Sequence, residues 1–278
     1  DISMNKLFLT ISSAILLMAG LYLSSCSDND DIKLTGIDGR PSALLSNGQV
    51  FASFVYSGNL FAGIQYPDGH ATRFNYEDGV FSGISYMPPK DVADGHGWVY
   101  FNKTGDNTYE VSHGGEPSTD INFREEVVLD ANGLPVKVTF TGVFQQGPNG
   151  EKQIEEGGGY ALLTFDPATR QLLEQEVYDK ESNLRVKNTY EYDNASGSIS
   201  HLELPLYFLG WWYYNHAYSS DFKDVQFLNH RHNITKITSE NSKEERSSAT
   251  YTYKYNENDF PVSAFCNKGE GEEVEIRY

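Results

Sequence analysis

Two histidines separated by one residue, His230 and His232 in "NHRHN", come nearest in this chain to a metal-binding pair. On a strand they would project to one side, but a zinc site needs three or four N, S or O ligands, and no cysteine or carboxylate stands beside them in sequence. They read as part of a solvated turn. "GEPSTD" and "KQIEEGGGY" set carboxylates beside glycines, which is ordinary loop chemistry on a chain with 39 Asp and Glu against 21 Lys and Arg. Gly157–Gly159 lacks the Lys-Ser/Thr that follows the glycines of a phosphate-binding loop. The reading is therefore of a non-enzymatic protein with no catalytic set, no metal and no cofactor.

One stretch has a different chemistry. In "LELPLYFLGWWYYNHAYSSDF", the residues Trp211, Trp212, Tyr213, Tyr214, His216 and Tyr218 hold two of the three tryptophans of the chain. Such a cluster could form a platform on which sugar rings or peptide side chains stack, with Tyr and His tips donating hydrogen bonds. It could equally plug the end of a rolled sheet as core. Four consecutive aromatics on an extended chain point to both of its sides, so two of them need cover of their own.

The elements around that stretch are strands. "ATYTYKY" alternates Tyr251, Tyr253 and Tyr255 with Thr252 and Lys254, and "ATRFNY", "NTYEYD", "VKVTF" and "EVEIRY" repeat the period of two. "YSGN", "YPDGH", "YEDG", "DANG" and "YNEND" separate them, rich in residues that tolerate positive φ or bond their own backbone. Only "ATRQLLEQEVYDKES" also admits a helix, and it reads as well as a strand pair turning at Lys180–Asn183. The expectation is an all-β, antiparallel hairpin-repeat sheet, strongly curved or rolled into an open barrel, with aromatics inside and Thr, Lys and Glu outside.

An internal repeat supports this. "YSGNLFAGIQY" (56–66) and "YEDGVFSGISY" (76–86) share Tyr, Phe, Gly, Ile and Tyr in register. "LDANGLPVKVTF", "YDKESNLRVKNTYEY" and "YNENDFPVSAF" repeat the order of apolar residue, polar turn, apolar residue and strand, so each unit is one hairpin that needs neighbours to cover it. These units resemble the YD-repeat, or RHS-like, hairpin proteins, with "YDKESNLRVKNTYEYD" the nearest copy. Among them the chain is similar to uncharacterised Bacteroidota lipoproteins that carry a domain of unknown function.

At the other end, Lys6 precedes the apolar "LFLTISSAILLMAGLYL", a run slightly short for a membrane span that ends in Ser-Ser-Cys. Residues 1–25 read as a signal peptide, with 1–3 an extension upstream of Met4. "LSSC" resembles the lipobox of bacterial lipoproteins, which implies lipidation of Cys26. Each buried methylene would contribute about 0.8 kcal/mol, so two or three acyl chains hold where one does not. Residues 26–36 form an acidic tether, and 37–278 a single β domain. The acid after Cys26 resembles an outer-membrane surface-export signal; the alternative is a periplasm-facing anchor.

Removing residues 1–25 takes away one Lys and one Asp and leaves the net charge of −18 unchanged. So acidic a chain repels phosphate backbones, which argues against a nucleic-acid partner. Cys266 alone would remain after lipidation, read as a small buried apolar group. The partners expected are the membrane, through the lipid, and a glycan, peptide or envelope protein. Two functions stay open: a binding module for a glycan or peptide at the outer membrane, and a structural or assembly partner of another envelope protein with no small ligand.

Overall fold

The computed structural model describes residues 39–58, 60–77, 80–89, 97–115, 118–146, 152–200, 231–267 and 272–278. Cys26, the aromatic run from Trp211 to Tyr218 and His230 lie outside the described residues. The chain forms strands wherever apolar and polar residues alternate. In order they are β1 (Ala43–Ser46), β2 (Gln49–Ser57), β3 (Leu60–Gln65), β4 (Ala71–Glu77), β5 (Val80–Met87) and β6 (Gly97–Lys103). Next come β7 (Thr108–Gly115), β8 (Ser118–Leu129), β9 (Pro135–Gln146), β10 (Lys152–Glu156), β11 (Tyr160–Asp166) and β12 (Gln171–Tyr178). The last are β13 (Leu184–Tyr192), β14 (Ile234–Asn241), β15 (Arg246–Tyr255), β16 (Pro261–Cys266) and β17 (Glu272–Arg277). No helix occurs among the described residues, and "QLLEQEVY", which also admitted a helix, is strand β12.

Strands pair antiparallel with their sequence neighbours, except that β10 and β11 both pair with β9, and the sheet rolls as the hairpin repeat predicts. It goes further than an open barrel, because sixteen strands close into a ring. Closure comes from β1, which pairs with β2 on one side and with β17 on the other through Ala43↔Arg277, Leu44↔Ile276 and Leu45↔Glu275. Ala43, Leu44 and Leu45 are at most 1% exposed. An open sheet would leave those residues and two rows of unpaired backbone groups in water, and closure removes both.

The extra strand, β10, pairs with the far half of β9, while β11 pairs with its near half. The break between them is Gly157–Gly159. The Gly158 N–H donates to the Phe140 carbonyl at 2.8 Å, and the Phe140 N–H donates to the Gly159 carbonyl at 2.9 Å. A Cβ on Gly157 would stand 2.2 Å from the Phe140 carbonyl oxygen, so the backbones approach too closely for any other residue. This glycine run is a bulge in a ladder.

Inward-facing residues form one apolar cluster, with Leu44, Phe61, Val111, Val127, Ala264 and Val274 sealed from water. The side of the interior lined by β12–β14 is more polar. There the Asn188 side chain donates to Gln175 at 3.0 Å, and the Ser239 hydroxyl donates to Asn188 at 2.7 Å. Ion pairs run along the outward faces instead: Lys187 with Glu174 and Glu176, Lys236 with Glu191, Arg246 with Glu240, and Lys254 with Glu273. Apolar inside and charged outside is the reverse of a strand facing lipid. Aromatics depart from the inward stripe at Tyr100 and Phe265, which face out, and at Tyr255, which follows a register shift after Lys254.

Two devices repeat along the ring. In the first, an Asp or Asn closes a hairpin: its Oδ1 accepts from the backbone N–H two and four residues on. This holds for Asp130 with Asn132 and Leu134, Asp179 with Glu181 and Asn183, Asn241 with Lys243 and Glu245, and Asn256 with Asn258 and Phe260. The residue three places on has positive φ, as in Gly133, Ser182, Glu244 and Asp259. In the second, an inward tyrosine near a strand end donates its hydroxyl to a carbonyl on a neighbouring hairpin: Tyr56 to Pro41, Tyr76 to Phe61, Tyr192 to Leu172, Tyr253 to Ile234 and Tyr278 to Pro261. Tyrosine suits this place because its ring joins the core while its hydroxyl satisfies a strand-end carbonyl.

Candidate functional site

Residues 201–230, which hold the aromatic run, interrupt in sequence the turn between β13 and β14. "YEYD" at the end of β13 starts the same turn as "VYD" at the end of β12, and Asp193 occupies the place of Asp179. Its Oδ1 accepts from the Ala195 N–H at 3.1 Å, as the pattern requires. The second donor is the Asn233 N–H at 3.0 Å, forty residues along the chain. The Asp193 N–H donates to the Asn233 carbonyl at 3.0 Å, the bond that Asp179 makes with Asn183. The chain has opened one turn of its repeat, inserted a long segment and then resumed the turn.

The stem below that segment is tightly bonded. The Asn233 side-chain amide donates to Asp193 and to the Ser196 carbonyl, and the Gly197 N–H donates to the Arg231 carbonyl at 2.9 Å. His232 Nδ1 lies 2.9 Å from the Ala195 carbonyl; a carbonyl only accepts, so this nitrogen carries the hydrogen. Tyr255 donates its hydroxyl to Asp193 Oδ2. Burial, and then the carboxylate beside it, push the Tyr255 phenol well above its ordinary range. Ser198, Ile199 and Asn233 are at most 1% exposed, and Ile199 belongs to the apolar core. The Asn233 Oδ1 is buried without a hydrogen-bond partner among the described residues.

Chemically the stem is inert. Both oxygens of Asp193 are taken up by donors from its own fold, so it has no capacity left to act as a base or a ligand. Among the described residues no three His, Cys, Asp or Glu side chains gather as a metal site would require. Cys266 is free and buried, as its apolar context predicts. What the stem can do is hold the two ends of residues 201–230 in fixed register at the rim. Of the histidine pair, His232 is in this stem, bonded to backbone. Sequence reading put Tyr255 on the aromatic stripe of a strand and assigned no site role to it or to Asp193, Asn233 or Ser196. The signal was there, in "YDNAS" beside "YDKES" and in the "HN" that ends the insertion.

No family profile and no curated protein matches the chain. Among solved structures, a porin-like protein from Bacteroides uniformis is 12% identical with a TM-score of 0.36, over 77% of this chain and 89% of that one. TcdB2-TccC3 is 12% identical with a TM-score of 0.31, over 86% of this chain and 13% of that one. A DUF1329 family protein from Desulfovibrio piger is 11% identical with a TM-score of 0.21, over 85% of this chain and 82% of that one. These scores are too low for any functional statement to rest on them.

Proposed function

We propose that this protein is a cell-envelope lipoprotein of the YD-repeat type, anchored in the outer membrane through Cys26, whose barrel carries residues 201–230 as a non-catalytic binding element for a glycan or peptide. The observation that carries the reading is the interrupted turn. A segment of thirty residues with a Trp-Trp-Tyr-Tyr run stands where its sister turns need only a few, and a saturated Asp193 fixes both its ends. Binding residues belong on such insertions, set on a rigid scaffold. The recurring Asp/Asn turns and inward tyrosines support the repeat type. The charged outward faces suit a barrel standing in water, so that the membrane is met by the lipid on Cys26 rather than by the strands.

The test replaces residues 201–230 with a two-glycine bridge in the full chain. Binding to neutral glycans and peptides on an array should vanish while the melting temperature holds within a few degrees. Cys26→Ser should abolish palmitate labelling and membrane retention. Neutral-glycan or peptide binding that survives the replacement overturns the first part, and unchanged labelling the second. Ile199, buried in the core at the start of the segment, favours a second reading in which the segment packs as core and the protein is an assembly partner. Under that reading the replacement unfolds the barrel.

A further inference from the structure

A second aromatic surface stands on the outer wall, away from the insertion. Val99 faces the core, so Trp98 and Tyr100 on β6 face out, with ring centroids 4.8 Å apart and planes inclined by 35°. Tyr100 is 50% exposed. Their cross-strand partners are small: Trp98 lies between Ser85 and Gly114, and Tyr100 between Gly83 and Ser112. A Cβ on Gly114 would fall 2.0 Å from the Trp98 ring, so the indole lies flat over bare backbone. The result is a shallow double ring on the sheet surface with low sides.

One strand beyond Ser85 in the same row is Arg73, exposed and without a carboxylate partner among the described residues. On a chain with a net charge of −18, an exposed arginine without a counter-ion is unusual. Two strand spacings put it about 10 Å from Trp98, the width of a sugar ring with its substituent. Asn75 lies along β4 from Arg73 and donates to the Ser85 hydroxyl at 2.7 Å, lining the floor between Arg73 and the rings with polar groups.

We propose that this wall binds an acidic glycan: the apolar face of a pyranose stacks on Trp98 and Tyr100, and the carboxylate of a uronic acid pairs with Arg73. An acidic peptide fits less well. Extended peptides bind along a free strand edge, and β4, β5 and β6 are each paired on both sides. The site is independent of the insertion and does not rest on its role.

The test is an array of uronate-terminated and neutral glycans probed with the full chain, with Tyr100→Ala, with Arg73→Gln and with a chain in which 201–230 is bridged. Uronate glycans should bind, more weakly as salt rises, and each point variant should weaken them about tenfold without moving the melting temperature. Arg73→Gln should leave any neutral-glycan binding unchanged, and the bridged chain should bind as before. The proposal is overturned if no uronate glycan binds, if neutral glycans bind the bridged chain equally well, if Tyr100→Ala binds uronate glycans like the parent, or if bridging the insertion removes the uronate signal.

Discussion

Asn233 stands to Asp193 as Asn183 stands to Asp179, although forty residues separate the first pair and four the second. In both, the carboxylate Oδ1 accepts the backbone N–H of the later residue, and the later carbonyl accepts the N–H of the aspartate. One local motif therefore does two jobs, closing an ordinary hairpin in one place and gripping a long insertion in another. Both aspartates also receive the side-chain amide of that asparagine; Asp193 adds the Tyr255 hydroxyl and Asp179 an ion pair with Arg185 at 2.7 Å, but Asn233 is fully buried where Asn183 is exposed.

Asp193→Ala should therefore destabilise the barrel by about 3 kcal/mol, because Asn233, fully buried, loses its acceptor along with two backbone donors. Asn256→Ala, which removes the same turn bonds from an exposed hairpin, should cost about 1 kcal/mol. Urea denaturation of both variants checks the ratio. Equal losses would mean that Asp193 closes a turn and nothing more.

The turns also predict an acid response. The backbone N–H of Asn183 holds the Asp179 carboxyl below its usual range, and that of Ala168 does the same for Asp166. At Asp130 burial pushes the other way, but the N–H groups of Leu134 and Asn132 outweigh it. A carboxyl whose folded pKa is depressed contributes stability that is fully present above its unfolded pKa of about 4, and that is lost as pH falls through the lower folded value. Asn241 and Asn256 make the same bonds with an amide oxygen, which does not titrate. The triple variant Asp130→Asn, Asp166→Asn, Asp179→Asn should keep its turns and lose less of its urea midpoint between pH 5 and pH 3 than the parent. A parent-like decline would place the acid sensitivity elsewhere.

Much of this fold is legible in the sequence because its determinants are local. Alternation in "ATYTYKY" sets strand and face, and the Asp or Asn after an apolar residue sets the turn, since both bonds that it makes fall within four residues. Closure is not local. "ALLS" carries no alternation, and the partner of Ala43 is Arg277 at the far end of the chain, so only the assembled ring shows why those residues are all apolar. The platform of Trp98 is hidden for the same reason. Gly114 looks like a loop glycine until register sets it beneath the indole ring.

That register gives a prediction of its own. Gly63 has φ of +148°, and a Cβ there would lie 2.1 Å from the Thr72 carbonyl oxygen, a backbone atom that cannot move aside. Gly63→Ala should destabilise by more than about 2 kcal/mol, through strain at the bulge between Val55 and Tyr56 and through the Thr72 contact. Gly48→Ala, with positive φ but open space around it, should cost about 1 kcal/mol. Thermal melting of the two variants separates close approach from backbone conformation.

The tyrosines should resist alkali. Burial pushes the Tyr190 phenol up to about 12, and burial raises Tyr192, Tyr251 and Tyr278 further still. A group whose folded pKa is raised contributes stability that is fully present below its unfolded pKa, about 10 for tyrosine, and that is lost as pH rises toward the folded value. Ultraviolet titration near 295 nm should show two phases, the exposed phenols ionising first. The inward set should follow only as the barrel unfolds, in one cooperative step that near-ultraviolet circular dichroism records at the same pH. Tyr192→Phe isolates a single member: it removes the hydroxyl that satisfies the Leu172 carbonyl, should cost about 1 kcal/mol, and should leave the cooperative step in place with one phenol fewer. If all phenols instead titrate near pH 10 while the dichroism is unchanged, the tyrosines are reached by water in the folded barrel and the hydroxyl-to-carbonyl bonds do not hold the strand ends.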